Sequence, residues 1–318
     1  MSSRDLELSN TTTLDDFLPD VLDGLTSTPK TLPSKYFYDE TGSKLFDQIC
    51  DLDEYYLTRT ELGIMRRHSD EMAETIGAGS MLIEYGSGSS LKTLVLLDAL
   101  QPEVHYVPVD ISGDYLYSIA DGLRDRYPAI EIDPVCTDFT QVFDVPDSDD
   151  AHRVVYFPGS TIGNFGPGEA IELLSNIAEL VGPGGGLLIG VDLWKSPEIL
   201  HPAYSDSSGV TAEFNYNLLR RINEELDADF VISRFQHEAR VNAAEHRMES
   251  HLVSRADQVV EIDGTPIPFA KGESIHTECS YKYTQPMFAE LAGEAGFDVD
   301  RVWRDEQINF SVQYLVAR

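Results

Sequence analysis

The sequence predicts an α/β protein: a seven-stranded, Rossmann-like sheet with a second, smaller α+β unit built from the N-terminus and an insertion. Three observations carry this reading. An apolar run at 81–85 ends in an acid and a Gly-Ser-Gly turn, then passes directly into a helical run. Strand-like and helix-like segments alternate from there to about position 191. That alternation then stops, and resumes only from about 285 to the end of the chain.

Taken in order, residues 1–60 lack the alternation and carry a concentration of aromatic side chains instead. Tyr36, Tyr38, Tyr55 and Tyr56 can form a wall that packs rings and still offers hydroxyls. Strands are expected at 81–85, 104–109, 130–135, 153–157 and 186–191, with helices at 91–100, 113–127 and 167–181 between them. Such alternation gives parallel strands joined by right-handed crossovers. The run Gly182-Pro183-Gly184-Gly185-Gly186 separates the last of these helices from the last strand. Segment 193–212 reads as irregular, because Pro197, Pro202 and the turn-forming residues 205–209 interrupt it. Phe214, Leu218, Ile222 and Leu226 recur at helical spacing and predict a helix over 213–226. Short alternating segments at 231–242, 247–254 and 258–262 predict antiparallel strands, followed by a turn at Asp263-Gly264-Thr265-Pro266. A helix at 285–295 and strands at 297–303 and 310–317 close the main sheet with a hairpin. The expected division is therefore one domain from 1–60 and 193–283, and another from 61–192 and 284–318.

The residues at the first turn suit a nucleotide. Gly86, Ser87 and Gly88 let the backbone approach a ligand, and the helix that follows offers unpaired N–H groups. Asp110 ends the next strand, where a carboxylate can take a ribose diol. Asp138 follows the third strand, within reach of an adenine amino group, and Phe139 can pack on the ring. The dinucleotide fingerprint lacks its third glycine, since position 91 is Leu. S-adenosylmethionine has no pyrophosphate to pack there, so the pattern points to a class I methyltransferase. Two further groups carry chemistry. Asn164 lies just after the fourth strand, where ligands of parallel sheets bind. Glu278 and Ser280 share one face if their segment is a strand, and together can grip a two-nitrogen ring.

Composition excludes several classes. The chain has 55 acids against 23 bases, a net charge of −32, which repels nucleic acid and favours a small-molecule substrate. No apolar run approaches the ~18–20 residues of a membrane span, and the polar N-terminus reads as no signal peptide. Cys50, Cys136 and Cys279 are an odd number without a Cys-x-x-Cys pair, which suits a reducing cytoplasm. None of the eight histidines forms a His-x-x-x-His pair, and methyl transfer needs no metal, so none is expected. A monomer is expected, since no coiled-coil seam is visible.

Six ordered motifs then resemble the histidine Nα-methyltransferases of ergothioneine biosynthesis. They are Tyr-Phe-Tyr-Asp-x-x-Gly-Ser-x-Leu-Phe-Asp at 36–47, Glu-Tyr-Tyr-x-Thr-Arg-Thr-Glu at 54–61 and Gly-Ser-Gly at 86–88. Gly-Ser-Thr-Ile-Gly-Asn at 159–164, Gly-Val-Thr-Ala-x-Phe-Asn at 209–215 and Glu-x-Ser at 278–280 complete them. The resemblance covers nearly the whole chain and implies roles. Gly86, Lys92, Asp110, Asp138 and Phe139 would hold S-adenosylmethionine. Asn164 and Tyr204 would take the α-carboxylate, Tyr55, Glu278 and Ser280 the imidazole, and Tyr38 and Phe46 would surround the amine. The product would be Nα,Nα,Nα-trimethylhistidine. Ser250 departs from the family, which usually has methionine there on the imidazole side. Related enzymes methylate a prenylated tryptophan, so another amino acid or amine is the alternative substrate. A non-catalytic S-adenosylmethionine-binding protein is a third reading.

Overall fold

A computed structural model describes residues 16–87, 91–146 and 151–318. The chain opens with α1 (Phe17–Thr26), a short strand β1 (Lys30–Thr31), a 3-10 turn (Ser34–Phe37), α2 (Glu40–Cys50) and the long α3 (Tyr56–Ile76). The alternating region follows as β2 (Ser80–Tyr85), α4 (Leu91–Leu100), β3 (Val104–Asp110), α5 (Gly113–Arg126), β4 (Glu131–Ile132), β5 (Val135–Cys136) and β6 (Arg153–Phe157). A 3-10 turn (Thr161–Asn164), α6 (Pro167–Val181) and β7 (Gly186–Asp192) complete it. Next come α7 (Pro197–Tyr204), α8 (Val210–Glu225), β8 (Phe235–Asn242), β9 (Arg247–Ser254), β10 (Gln258–Ile262), β11 (Thr265–Phe269) and β12 (Ser274–Tyr281). The chain ends in α9 (Gln285–Glu294), β13 (Phe297–Arg304) and β14 (Phe310–Ala317).

The main sheet runs β13-β14-β7-β6-β2-β3-β4, with β5 also paired to β3. From β7 to β5 the pairings are parallel, and β14 and β13 add antiparallel edges. Every residue of β2 and β7 is buried, as a parallel sheet covered on both faces requires. The strand period sends alternate side chains to opposite cores. Leu82, Tyr106, Tyr156 and Leu188 face α3 and α4, whereas Ile83, Val107, Val155 and Ile189 face α6 and α9. A second sheet, β1-β12-β9-β8, packs its apolar face against α8 through Phe214, Leu218 and Ile222.

Three expectations are corrected. The strand expected at 130–135 is two short strands, because Pro134 between them cannot donate to the ladder. The main sheet therefore has eight strands, not seven, with β4 and β5 sharing one flank of β3. Segment 193–212 is not irregular throughout: Pro197 occupies the first helical position of α7, and Leu200, Ala203 and Tyr204 bury a helical stripe that outweighs Pro202. The turn after β10 is tighter than read, with Asp263 and Gly264 at positive φ, and Thr265 and Pro266 already belong to β11.

Candidate active site

The carboxyl ends of β2, β3 and β5 lie side by side, with Tyr85 beside Val109 and Asp110 beside Cys136. Here the chain leaves β2 through Gly86, whose φ of +71° a side chain would strain. The Gly86 and Ser87 N–H groups both donate to the Val109 carbonyl, at 2.9 and 3.2 Å. Gly88 lies outside the described residues. Asp110 accepts from the Ser112 N–H at 2.9 Å, and burial pushes its carboxyl up. Asp138 accepts from the Thr140 N–H and hydroxyl at 2.9 and 2.7 Å, and Phe139 stacks on Tyr85 with centroids 5.2 Å apart. A glycine-only bend, a half-buried carboxylate at the next strand end and an adjacent ring fit an adenosyl ligand. Glu84, the acid inside the strand, does not face it. It is fully buried, accepts from Thr93 and Tyr106, and burial moves its carboxyl up to about 7.

Lys92 donates to Glu61 at 2.7 Å, and both Glu61 oxygens accept from the Gly159 N–H at 3.0 Å. One buried carboxylate thus joins the helix after the cofactor turn to the loop after β6. That loop packs closely on β12: a β-carbon on Gly163 would sit 2.7 Å from the Tyr281 carbonyl. The close approach carries Asn164 into a pocket shared with Tyr38, Phe46, Tyr55, Tyr204, Glu278 and Ser280. Asp39 caps α2 by accepting from Gly42 at 2.6 Å and is held by Asn217 of α8 at 2.8 Å, which fixes the Tyr38 end of the pocket.

The pocket wall is aromatic. Phe46 lies 5.7 Å from Tyr38 and 6.3 Å from Tyr55, and Tyr55 lies 6.4 Å from Tyr204, all edge-on. Of the four N-terminal tyrosines only Tyr38 and Tyr55 line it. Tyr36 turns away to Asp20 at 2.7 Å, and the Tyr56 hydroxyl donates to Asp192 at 2.6 Å. Burial holds the Tyr38 and Tyr55 phenols far above their ordinary range. Glu278 enters from β12, just past a bulge between His276 and Glu278. Burial raises its carboxyl to about 7, against the pull of Lys282. Ser250 pairs with Glu278 across the strands, so its buried side chain shares that face, but it does not line the pocket itself.

Sequence reasoning missed several contributors. Phe214 and Thr211 of α8 line the pocket, and Phe214 stands 5.7 Å from Tyr38 and 6.1 Å from Phe46. Behind the wall lies a buried charged network. Asp192 accepts from Lys195 at 2.6 Å and from Lys282 at 2.8 Å, while Lys282 also donates to Tyr204 and Ser280. Among the described residues one trio, His105, Glu131 and Asp133, brings three metal-ligand atoms within 4.8 Å, but at the amino ends of the strands and away from this pocket.

A polar, tyrosine-walled pocket beside an adenosyl-sized turn agrees with the relatives found. The chain is similar to the histidine N-alpha-methyltransferase of Mycolicibacterium smegmatis, 43% identical over 304 residues, 93% of this chain and 94% of that protein. It is equally similar to the enzyme of that name from Mycobacterium tuberculosis, 43% identical over 300 residues and 92% of each chain. Ergothioneine biosynthesis protein 1 of Neurospora crassa is 34% identical over 210 residues, covering 62% of this chain and 23% of that longer protein. The family model for histidine-specific, SAM-dependent methyltransferases matches residues 17–317. The chain belongs to that family, and is an S-adenosylmethionine-dependent methyltransferase.

Proposed function

We propose that the protein methylates the α-amine of L-histidine three times to give Nα,Nα,Nα-trimethylhistidine, a step of ergothioneine biosynthesis. The observation that carries this is Glu278: a carboxyl facing the pocket beside the Ser280 hydroxyl, with no side chain hydrogen-bonded to it among the described residues. An apolar amino acid would leave it without a partner, whereas an imidazole N–H satisfies it.

When bound, S-adenosylmethionine supplies an electrophilic methyl group on a sulfonium. Gly86, Ser87, Lys92, Asp110, Asp138 and Phe139 are the residues assigned to hold it, as is Gly88, which lies outside the described residues. The chain's own task is orientation, since in-line displacement needs an unprotonated, aligned amine. Asn164, on the loop that Glu61 ties to Lys92, is assigned to the α-carboxylate, together with Tyr204. Tyr55, Glu278 and Ser280 hold the ring, while Tyr38 and Phe46 close round the amine. A peptide α-amine titrates near ~7.7–8.0, so a usable fraction is unprotonated at neutral pH. Tyr38 keeps its own proton, being held far above the ordinary phenol range, and so orients the amine by hydrogen bonding rather than acting as a base.

The same reading divides the chain into a substrate-binding domain, 1–60 and 193–283, and a cofactor domain, 61–192 and 284–318. The pocket draws on both parts, which supports the division. It also takes the protein as a metal-independent cytoplasmic monomer without nucleic-acid or membrane partners. Three cysteines in no disulfide and the charge of −32 support this, and among the described residues no helix is long and apolar enough to cross a membrane.

A second reading rests on Ser250. Ser250 is smaller than the family's usual methionine and stands opposite Glu278 behind the pocket wall, where repacking would admit a bulkier amino acid, such as a tryptophan derivative. Incubation with S-adenosylmethionine and the twenty free amino acids, followed by mass spectrometry, separates the two. Histidine gaining three methyl groups supports the first, and methylation of another amino acid supports the second. No product at all would leave only a cofactor-binding protein.

A further inference from the structure

Glu278 reaches the pocket against the ordinary period of its strand. Successive strand residues alternate faces, so His276 and Glu278, two apart, belong on one face. The ladder places them on opposite faces instead. His276 stands opposite His251 of β9 and Glu278 opposite Ser250, and these two neighbours on β9 point opposite ways. Thr277 is the extra residue of the bulge, and it turns the strand over. Glu278 and Ser280 then line the pocket, while the His276 ring stacks on His251 with centroids 4.9 Å apart.

Three side chains hold that extra residue. Thr277 is buried and offers its one hydroxyl hydrogen to Asn215 Oδ1 at 2.8 Å and to the Ser250 carbonyl at 3.1 Å. Asn215, from α8, is fully buried, and its amide nitrogen donates to the Thr211 carbonyl at 3.0 Å. A carbonyl only accepts, so this bond fixes which end of the amide faces Thr277. On the other face a His276 ring nitrogen donates to the Glu278 carbonyl at 3.0 Å, tying the residues on either side of the bulge. A bulge disrupts the ladder locally, so its register rests on such contacts. Thr211 and Phe214 of the same helix line the pocket, so the Asn215–Thr277 bond also sets that wall against β12.

We propose that Asn215 and Thr277 are positioning residues for the reaction: their buried bond locks the one-residue bulge that aims Glu278 into the pocket, and so sets the preference for a ring that carries an N–H. Neither side chain lines the pocket itself. The inference deepens the histidine reading and rests on it for its activity readout.

The test combines Thr277→Val, which keeps shape and loses the hydroxyl, with Glu278→Gln in the whole protein. Thr277→Val should lower kcat/KM for histidine by about tenfold or more while S-adenosylhomocysteine affinity holds within about twofold. In that background Glu278→Gln should cost less than about threefold further, against roughly 10- to 150-fold alone, because the carboxyl is no longer aimed. Thr277→Ser retains the hydroxyl and should retain the full Glu278→Gln effect. An unchanged kcat/KM in Thr277→Val, or losses that multiply in the folded double variant, would refute the proposal.

A ligand-free readout runs beside it. The titratable groups facing Glu278 are Tyr38, Tyr55 and Tyr204 across the pocket, Lys282 just past β12 and Cys279 behind it. In this setting its carboxyl sits at about 7, so Glu278→Gln should melt above the wild type near about pH 8. In the Thr277→Val background that gap should shrink to less than about a third, and an undiminished gap would overturn the proposal. If Thr277→Val fails to fold, Thr277→Val/Asn215→Leu replaces it, since removing both partners strands neither side chain. Failure of both to fold would also overturn it, for the bond would then serve the fold rather than the aim of Glu278. Turnover of another amino acid with the melts as expected would remove the histidine reading and keep the bulge lock, whereas histidine turnover with multiplying losses would remove only the inference.

Discussion

Glu278→Gln is the most informative single change, because the structure assigns it opposite effects on activity and stability. The substitution keeps shape and removes the capacity to become an anion. A hydrogen bond to an ionised acceptor contributes about 1.5–3 kcal/mol, so kcat/KM for histidine should fall roughly 10- to 150-fold. Cofactor affinity should stay level, since among the described residues no cofactor-side group is hydrogen-bonded to this carboxyl. For stability, burial has moved the carboxyl from its ordinary 4.5 to about 7. Below pH 4.5 the folded and unfolded chains both hold the proton, and Glu and Gln are equivalent. As pH rises from 4.5 to about 7 the unfolded chain ionises first, and the wild type loses stability relative to the variant until the folded carboxyl ionises as well. The full displacement corresponds to about 3 kcal/mol, and solvent screening of this half-buried side chain trims it to about 2 kcal/mol. Thermal melts of the ligand-free proteins should therefore coincide near about pH 4 and separate by a few degrees near about pH 8, with the variant higher. A melting difference that does not grow with pH, or an unchanged kcat/KM, would refute the assignment of Glu278 as the strained, ring-binding acid.

Three further outcomes are expected. Asn164→Ala should raise KM for free histidine by roughly tenfold yet leave histidinamide nearly unaffected in steady-state assays, because only the former brings a carboxylate. Glu61→Gln should lower stability by about 1–3 kcal/mol in denaturant melts and weaken cofactor and histidine binding together, since this one carboxylate holds both Lys92 and Gly159. Tyr38→Phe should reduce kcat by about tenfold without moving the pH–rate profile, and a shifted profile would restore Tyr38 as a candidate base.

Elements whose signal is local were legible in the sequence. Leu91–Leu100, Pro167–Val181 and Phe310–Ala317 fall where periodicity and turn residues put them, because burial on one face or both repeats along each segment. The misreadings were competitions between local and tertiary terms. In α7 the proline and serine punctuation suggests a loop, but Leu200, Ala203 and Tyr204 find a core to enter. Near β4 and β5 the apolar pattern suggests one strand, and the missing amide of Pro134 divides it. The motif-bearing residues Tyr38, Phe46, Tyr55, Asn164, Tyr204, Glu278 and Ser280 do converge on one pocket.

What the sequence hid is the machinery behind that pocket, and the reason is distance along the chain. The Tyr56 hydroxyl reaches Asp192 across 136 positions, and Lys282 reaches Tyr204 across 78. No periodicity links such positions until the fold bridges Leu193, just past β7, to Tyr283, just past β12. Yet one signal was present. The strand period that joins Glu278 to Ser280 extends equally to Lys282, and a lysine on the inward face of a strand demands an anion or several oxygens. A single buried lysine therefore implies partners, and here those partners are two hydroxyls of the pocket and the last residue of a central strand. Two pocket hydroxyls and the carboxylate at the end of β7 thus meet the same side chain. Substitutions that retune the ring pocket must consequently be made around Lys282 rather than at it.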